Sequence, residues 1–567
     1  MMLDRRTFMT WFGAAGLSST MLPDALWGIA QEQQTVTKEM VEQAEKLAGL
    51  AFTDEERERI ARGLNNNVRN YERLREVELP NAVPPAVQFD PLLPGMQVPA
   101  ARPGVRYTRE ADVRRPANLE EVAFWPVTKL AELVRTRQVM PSELTDMYLA
   151  RLKRHDGQLF AVVTLTEERA RAQAAQLDAE LRAGNYRGPL HGIPWGAKDL
   201  LATRGYPTTW GASPYRDQAF DYDAAVVEKL DAAGAVLIAK LTMGALAQGD
   251  RWFGGMTRNP WNPAEGSSGS SAGPGAVTAA GLVGFAIGTE TLGSIVSPST
   301  RNGVTGLRPT FGRVSRSGAM ALSWSMDKIG PMCRTAEDCA LVLQAIHGPD
   351  GRDPTVRDVP FVWDVERPLA EIRIGYFRSA FERTNDEGER NEFDAAALMA
   401  MRRLVPNLIE VELPVDTYPL RAISGSVLGV EAAAAFDELT RGELDNLMLP
   451  EPERSSWPNT FNTARFVPAV EYINANRVRT LVMQEMDRAL RDVDVVITPN
   501  TVLLLSNLTG HPQVSMPGGF TQREGAEVPV SVQFIGRLYG EADLLRVAKA
   551  WQDATGHHLR VPPAFAV

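Results

Sequence analysis

Two glycine- and serine-rich runs, GSSGSSAGPG at 266–275 and GTETLGSIVSP at 288–298, interrupt stretches that are otherwise apolar and strand-like. Runs of this kind leave backbone amides uncovered and allow sharp turns, which neither a continuous helix nor a long strand accommodates. The second run directly follows the apolar segment 284–288, and residues 235–239 and 493–498 also read as short buried strands. Helical spacing returns between them: Thr166 opens a segment carrying Ala170, Ala174, Leu177 and Leu181, which Gly184 stops. From about residue 105 the chain is therefore α/β, with Val530, Val532 and Phe534 alternating as in a half-exposed strand.

Length and charge narrow the function classes. At 567 residues the chain is long enough for three to four domains or one large α/β domain with additions. A net charge of -10 provides no chain-wide basic field for nucleic acid or for an anionic membrane surface. The cysteines Cys333 and Cys339 are too few for a disulfide scaffold and read as small core residues with free thiols. Six histidines form neither HExxH nor HxH, so neither a metal site nor a histidine base is indicated.

The N-terminus has the layout of a twin-arginine export signal. Asp4-Arg5-Arg6-Thr7-Phe8-Met9 leads into an uncharged stretch from Trp11 to Leu22, with Ala25 or Ala30 as the cleavage position. The expected location is periplasmic or secreted, without stable membrane insertion, because no run reaches the roughly 18 apolar residues of a spanning helix. Two helices follow within residues 37–79, the second opened by the capping box Thr53-Asp54-Glu55-Glu56 and carrying Ile60, Leu64, Val68, Tyr71 and Leu74 at helical spacing. Seven prolines from Pro80 to Pro103 then hold the chain extended as a strap. The expected organisation is a signal over 1–30, a helical hairpin with strap over 36–105, and a catalytic domain over 106–567.

One lysine stands out chemically. His191-Gly192-Ile193-Pro194-Trp195-Gly196-Ala197-Lys198-Asp199 places Lys198 at the end of an apolar, proline-restricted run, where its surroundings are buried. A serine hydroxyl is a weak nucleophile at neutral pH and needs an adjacent base, and a lysine serves as one only when burial lowers its pKa. Moving a lysine from 10.4 toward 7 corresponds to about 4 kcal/mol in favour of the neutral amine. Glycines next to the nucleophile let N–H groups converge on a developing oxyanion.

These residues resemble the amidase signature enzymes, a family defined by a Ser-cisSer-Lys triad, and the likeness runs from about Trp125 to Trp551. Gly192-Ile193-Pro194 with Lys198-Asp199 is similar to the family's lysine motif, and Gly288-Thr289-Glu290-Thr291-Leu292-Gly293-Ser294-Ile295 to its nucleophile motif. Gly306-Leu307-Arg308-Pro309-Thr310, Ser325-Met326-Asp327-Lys328-Ile329-Gly330-Pro331 and Gly510-His511-Pro512 continue the pattern.

The resemblance implies an amidase signature fold, a large mixed β-sheet covered by helices on both faces, here with an N-terminal helical extension. It implies Ser294 as nucleophile, Lys198 as base, and Thr291, Leu292 and Gly293 with Ser294 as oxyanion hole. The bridging serine is Ser270, because the family keeps 24 residues between the two serines and Ser267 would leave 27. The bond before Ser270 is then the family's cis peptide. Thr242 and Met243 are expected at the substrate, and Asp199 either orients the lysine loop or caps a turn. Tyr472 and Arg477 lie on a helix that borders the acyl channel in the family or forms a solvated face. No cofactor and no metal is required.

Leu292-Gly293 stands where the family often has Gly-Gly, and Ile295-Val296 where it often has Ile-Arg. Glu290 and Asn302-Gly303-Val304 look more like stand-alone amidases and peptide amidases than the catalytic components of tRNA-dependent amidotransferases. The expected activity is hydrolysis of a small-molecule or peptide amide to acid plus ammonia or amine through a serine acyl-enzyme, with a second copy of the chain as candidate oligomeric partner. Two alternatives stand beside it. One is an amidotransferase-type component passing ammonia to a partner, with residues 37–103 resembling the small helical component that wraps around the catalytic one in those complexes. The other is a non-catalytic binding protein whose loops act as anion nests.

Overall fold

The computed structural model describes residues 36–75, 77, 80–83, 87–96, 98, 106–384, 391–448, 457–499 and 502–567; the signal-like residues 1–30 lie outside the described residues. The chain divides into two compact units, one ending at Pro80 and one spanning Asn81–Val567.

The first unit holds helices Lys38–Ala48 and Asp54–Arg75. The capping box forms as expected: the Glu56 N–H donates to Thr53 Oγ1 at 3.4 Å while the Thr53 N–H donates to Glu56 Oε2 at 2.8 Å. Arg57 pairs with Glu45 across the hairpin at 2.6 Å.

The second unit is built on a mixed sheet of eleven strands among the described residues. In chain order these are β1 (Val162–Leu165), β2 (Pro194–Lys198), β3 (Val236–Leu241), β6 (Phe285–Glu290), β7 (Thr305–Arg308), β8 (Lys328–Cys333), β9 (Ile374–Phe377), β10 (Ile409–Val411), β11 (Val495–Thr498), β12 (Gln513–Arg523) and β13 (Ala526–Gly536). The short pair β4 (Arg251–Trp252) and β5 (Gly255–Met256) forms a separate ribbon. Across the large sheet the order is β1-β3-β2-β6-β8-β7-β12-β13-β11-β9-β10. β2 runs parallel to both β3 and β6, and β6 runs antiparallel to β8.

β2, β3, β6 and β8 are buried along their whole length. That is why they appear in the sequence as continuous apolar runs rather than alternating ones. Helix Glu167–Arg182 packs on β3 through Ala170, Ala174, Leu177 and Leu181, as the periodicity predicts. Its opening residue departs from expectation: the Thr166 hydroxyl makes no cap and donates to the Leu237 carbonyl at 2.7 Å. Helix Ala272–Ala279 is buried at all eight residues against β6, which its Ala- and Gly-rich sequence makes possible.

The half-exposed strand expected at Val530–Phe534 is found at Val530 and Ser531, which are half-buried, but not at Gln533. Gln533 is fully buried there, because Gln513 Nε2 donates to its Oε1 at 2.6 Å and the Ser506 hydroxyl donates to Gln513 Oε1 at 2.7 Å. Paired polar groups let the face opposite the apolar one be buried as well. Cys333 and Cys339 are free and buried, as expected.

From Asn81 onward the described part of the proline-rich strap belongs to the second unit. The Asn81 carboxamide binds both backbone groups of Ala321, accepting from its N–H at 2.8 Å and donating to its carbonyl at 2.9 Å. Phe89 sits edge-on to Phe311 at 5.1 Å, and Asp90 pairs with Arg357. Among the described residues no helix is long and apolar enough to cross a membrane.

Candidate active site

β2 and β6 are adjacent and parallel, so their C-terminal ends emerge on one edge of the sheet, where α/β sheets gather ligands. β2 ends on Lys198 and β6 on Glu290. The two loops flagged by their glycines and serines meet between these ends.

Lys198 is completely buried and surrounded by hydroxyls. Its Nζ lies 2.8 Å from Ser270 Oγ, 3.1 Å from Ser271 Oγ and 3.0 Å from Thr289 Oγ1. Burial pushes its pKa down to about 7, against the opposing pull of Asp327 and Glu290. The two serines are not equivalent. The Ser271 hydroxyl donates to the Thr289 carbonyl at 3.1 Å and accepts the Thr289 N–H at 3.2 Å, so it meets Lys198 only as an acceptor. Among the described residues the Ser270 hydroxyl donates to no other group, which leaves its proton to give to a neutral amine. Ser267 is not part of this cluster; its hydroxyl donates to the Ser268 carbonyl at 3.1 Å. The Gly269–Ser270 peptide is cis, at the bond the family register indicates. A Cβ on Gly269 would stand 1.8 Å from the Gly249 carbonyl oxygen, which accounts for glycine at this position.

Ser294 is 7 % exposed, and its carbonyl accepts the Ser271 N–H at 3.1 Å, binding the two loops together. Glu290 shapes the turn that presents it. The carboxylate accepts the N–H groups of Ile295 and Val296 at 2.8 and 2.9 Å, and holds Arg308 and the Asn507 amide at 2.8 Å each. Burial opposes its charge, yet Arg308 and the Val296 N–H keep its pKa down at about 2. Among the described residues, the N–H groups of Thr291, Leu292, Gly293 and Ser294 make no hydrogen bond, and Gly293 takes φ +87°, which turns the chain between them. The Leu292 side chain packs on an apolar cluster that includes Met326, Val502 and Leu505.

Other expected residues fall into two groups. Thr242 and Met243 are fully buried. The Thr242 carbonyl accepts the Gly273 N–H at 2.9 Å and its hydroxyl meets that of Thr257 at 2.7 Å, so it supports the serine loop from behind. Asp199 does more than cap a turn: it accepts from the Thr209 N–H at 2.9 Å and pairs with Lys240. Arg477 binds Asn474 on the surface, whereas the Tyr472 hydroxyl donates to Glu431 at 3.0 Å.

Three residues that sequence reasoning passed over also shape the site. Asp327 accepts the Thr291 hydroxyl at 2.5 Å and the N–H groups of Leu322 and Ser323 at 2.8 and 2.9 Å. Burial raises its pKa against these hydrogen bonds. Glu431 is buried and gathers the hydroxyls of Ser323 and Ser325 at 2.6 and 2.7 Å. Lys240 is fully buried like Lys198. Asp327 falls within a quoted motif; Glu431 and Lys240 carried no local signal. An open cavity of about 140 Å³ adjoins this region along Thr289, Thr291 and Asp327.

The family described as Amidase matches residues 143–504. The A component of the glutamyl-tRNA(Gln) amidotransferase of Anaeromyxobacter dehalogenans (strain 2CP-C) is 34 % identical over 476 residues, 76 % of this chain and 96 % of that one. The peptide amidase of Stenotrophomonas maltophilia is 29 % identical with a TM-score of 0.69, covering 79 % of this chain and 99 % of its own. A chain of a vestigial protein complex that reveals the evolutionary origins of an s-triazine catabolic enzyme is 28 % identical with a TM-score of 0.69, covering 76 % of this chain and 98 % of its own. The likeness extends over nearly the whole of each relative and includes the sheet edge where Lys198 meets the serine loops. This chain therefore belongs to the amidase signature family, as an enzyme that hydrolyses carboxylic amides.

Proposed function

We propose that Ser294 is the nucleophile, Ser270 the proton relay and Lys198 the base of this amidase. The single observation that carries the assignment is the 2.8 Å contact between Lys198 Nζ and the Ser270 hydroxyl, which donates to no other group among the described residues. Ser294 Oγ attacks the amide carbon as its proton passes through Ser270 to neutral Lys198. The N–H groups of Thr291, Leu292, Gly293 and Ser294 stabilise the oxyanion. Collapse of the tetrahedral species returns the proton to the departing ammonia or amine, and water then releases the acid from the acyl-enzyme by the same relay. A fluorophosphonate probe followed by peptide mapping tests the assignment: the adduct is expected on Ser294, and labelling elsewhere or none at all overturns it. Ammonia or amine release from aliphatic, aryl and peptide C-terminal amides then identifies the substrate.

A second reading, an amidotransferase-type component delivering ammonia to a partner, draws support from the likeness to the glutamyl-tRNA(Gln) amidotransferase chain. It requires a stoichiometric second chain on purification, and ammonia release by the isolated chain argues against it.

We further propose export by the twin-arginine route to the periplasm or beyond, on the layout of Arg5-Arg6 and the uncharged stretch after it. Replacing Arg5-Arg6 with Lys-Lys is expected to hold the precursor in the cytoplasm; unchanged export rejects the proposal.

A further inference from the structure

The cavity beside the site has a wall that does not come from the sheet or its helices. Asn81, Ala82, Val87 and Gln88 of the proline-rich strap line it, together with Met320 and Leu322. Ala82, Val87 and Gln88 are exposed, Val87 at 85 %, which puts them at the mouth. Asn81 is half-buried and forms the clasp on Ala321 already described. The next two residues, Leu322 and Ser323, give their N–H groups to Asp327, which accepts the Thr291 hydroxyl of the oxyanion loop. The strap thus touches the cavity at its rim and reaches its floor through one short loop.

The charged groups on this wall are all engaged. Arg316 holds Asp353 at 3.0 Å and donates to the Trp324 carbonyl at 2.7 Å and the Thr355 hydroxyl at 2.9 Å. Arg352 pairs with Asp350 at 3.0 Å and with Glu228. Asp327 is taken by Thr291, Leu322 and Ser323, and Lys328 donates to the Met326 carbonyl. An ionic substrate group entering here would lose water without gaining a free counter-charge, whereas Leu200, Met320, Leu322, Trp324 and Ile329 offer apolar contact.

We propose that this cavity receives a bulky, uncharged apolar flank of the amide substrate and that the strap is its specificity wall. Val87 limits the size of the flank at the mouth, and Asn81 is a positioning residue that fixes the loop at Met320–Leu322. The proposal rests on the amidase reading and refines its substrate class. It makes the segment between the N-terminal helices and the catalytic body a part of substrate selection rather than a passive tether.

The test measures kcat and KM on the full chain with amides sharing one scissile bond, in which the flank is small, large and neutral, or large and acidic. The series is made twice, with the bulk on the acyl side and on the amine side. In one of the two series the wild type is expected to favour the large neutral flank over the acidic one by about tenfold or more. Val87→Trp is expected to lower kcat/KM for the large neutral amide about tenfold, mainly through KM, and to change the small amide less than about twofold. Asn81→Ala should shift the large-to-small preference in the same direction. Indifference of both series to flank charge, or equal effects of Val87→Trp on small and large amides, overturns the strap proposal and leaves the amidase reading intact. Absence of both ammonia release and fluorophosphonate labelling of Ser294 instead removes the amidase reading, and the strap proposal with it.

Discussion

Asp199 and Lys240 form an ion pair at 2.9 Å with both side chains completely buried, directly behind the end of β2. Lys240 also donates to the Thr208 hydroxyl at 2.8 Å, so the pair fixes the turn that follows Lys198. Removing one partner of a buried pair leaves a charge without compensation, at a cost of roughly 3–5 kcal/mol. Lys240→Met is expected to destabilise the enzyme by that order, and Lys240→Met with Asp199→Asn to recover most of it. Urea unfolding decides the matter; a single variant as stable as the wild type would show that the pair contributes nothing.

The serines should separate by rank. Ser294→Ala is expected to lower kcat on the order of a million-fold with the fold intact, as for other coupled triads. Ser270→Ala should lose several orders of magnitude, while Ser267→Ala should remain near wild type because its hydroxyl only meets the Ser268 carbonyl. Steady-state kinetics with circular dichroism checks this, and a Ser267 defect larger than that of Ser270 would contradict the relay.

Lys198 must be neutral to accept a proton, and its pKa is lowered from 10.5 to about 7 by burial. Its ammonium form blocks the relay below that pH, so kcat/KM should rise through an inflection near 7 and stay high into the alkaline range. His511 is not an alternative base: burial first, then Arg308, lowers its pKa to about 3. A profile from pH 5 to 10 in wild type and Lys198→Ala is the measurement, and an inflection that persists unchanged in the variant would locate the base elsewhere.

Glu290→Gln removes the charge that holds Arg308 and turns an amide N–H toward the donors of Ile295 and Val296. The oxyanion loop should lose its shape, lowering kcat about a hundredfold or more with a smaller effect on KM. A normal kcat would show that the loop keeps its form without the carboxylate.

Both thiols are buried and unpaired. A disulfide-exchange reagent should titrate none in the native protein and two after denaturation. Fewer than two after denaturation without reductant would reveal a disulfide.

How much of this was legible depended on whether the signal was local. Lys198 could be read because Ile193-Pro194-Trp195 announces burial within a few residues. The serine register could be read because the family's spacing of 24 residues fits Ser270 and Ser294 and not Ser267. Lys240 could not, since a lysine in VLIAKL looks like a strand edge until β3 is laid against β2 and Asp199 is found beside it. Glu431 was hidden for a similar reason. Its partners Ser323 and Ser325 are more than a hundred residues earlier, and its own helix Leu420–Ala435 carries only the ordinary marks of a packed helix.

The adjacency of β2 and β6 has a kinetic consequence during biosynthesis. The proposed base arrives at residue 198 and the proposed nucleophile at residue 294, so a nascent chain carries an inert lysine for the time needed to synthesise about a hundred more residues. Until the two strands pair, the lysine keeps the proton of an ordinary solvated amine, and the serine is no more reactive than any other. Covalent tagging at Ser294 therefore doubles as a clock for sheet closure. Applied to ribosome-bound intermediates of increasing length, it would mark the moment at which the chain stops being a polymer and becomes a reagent.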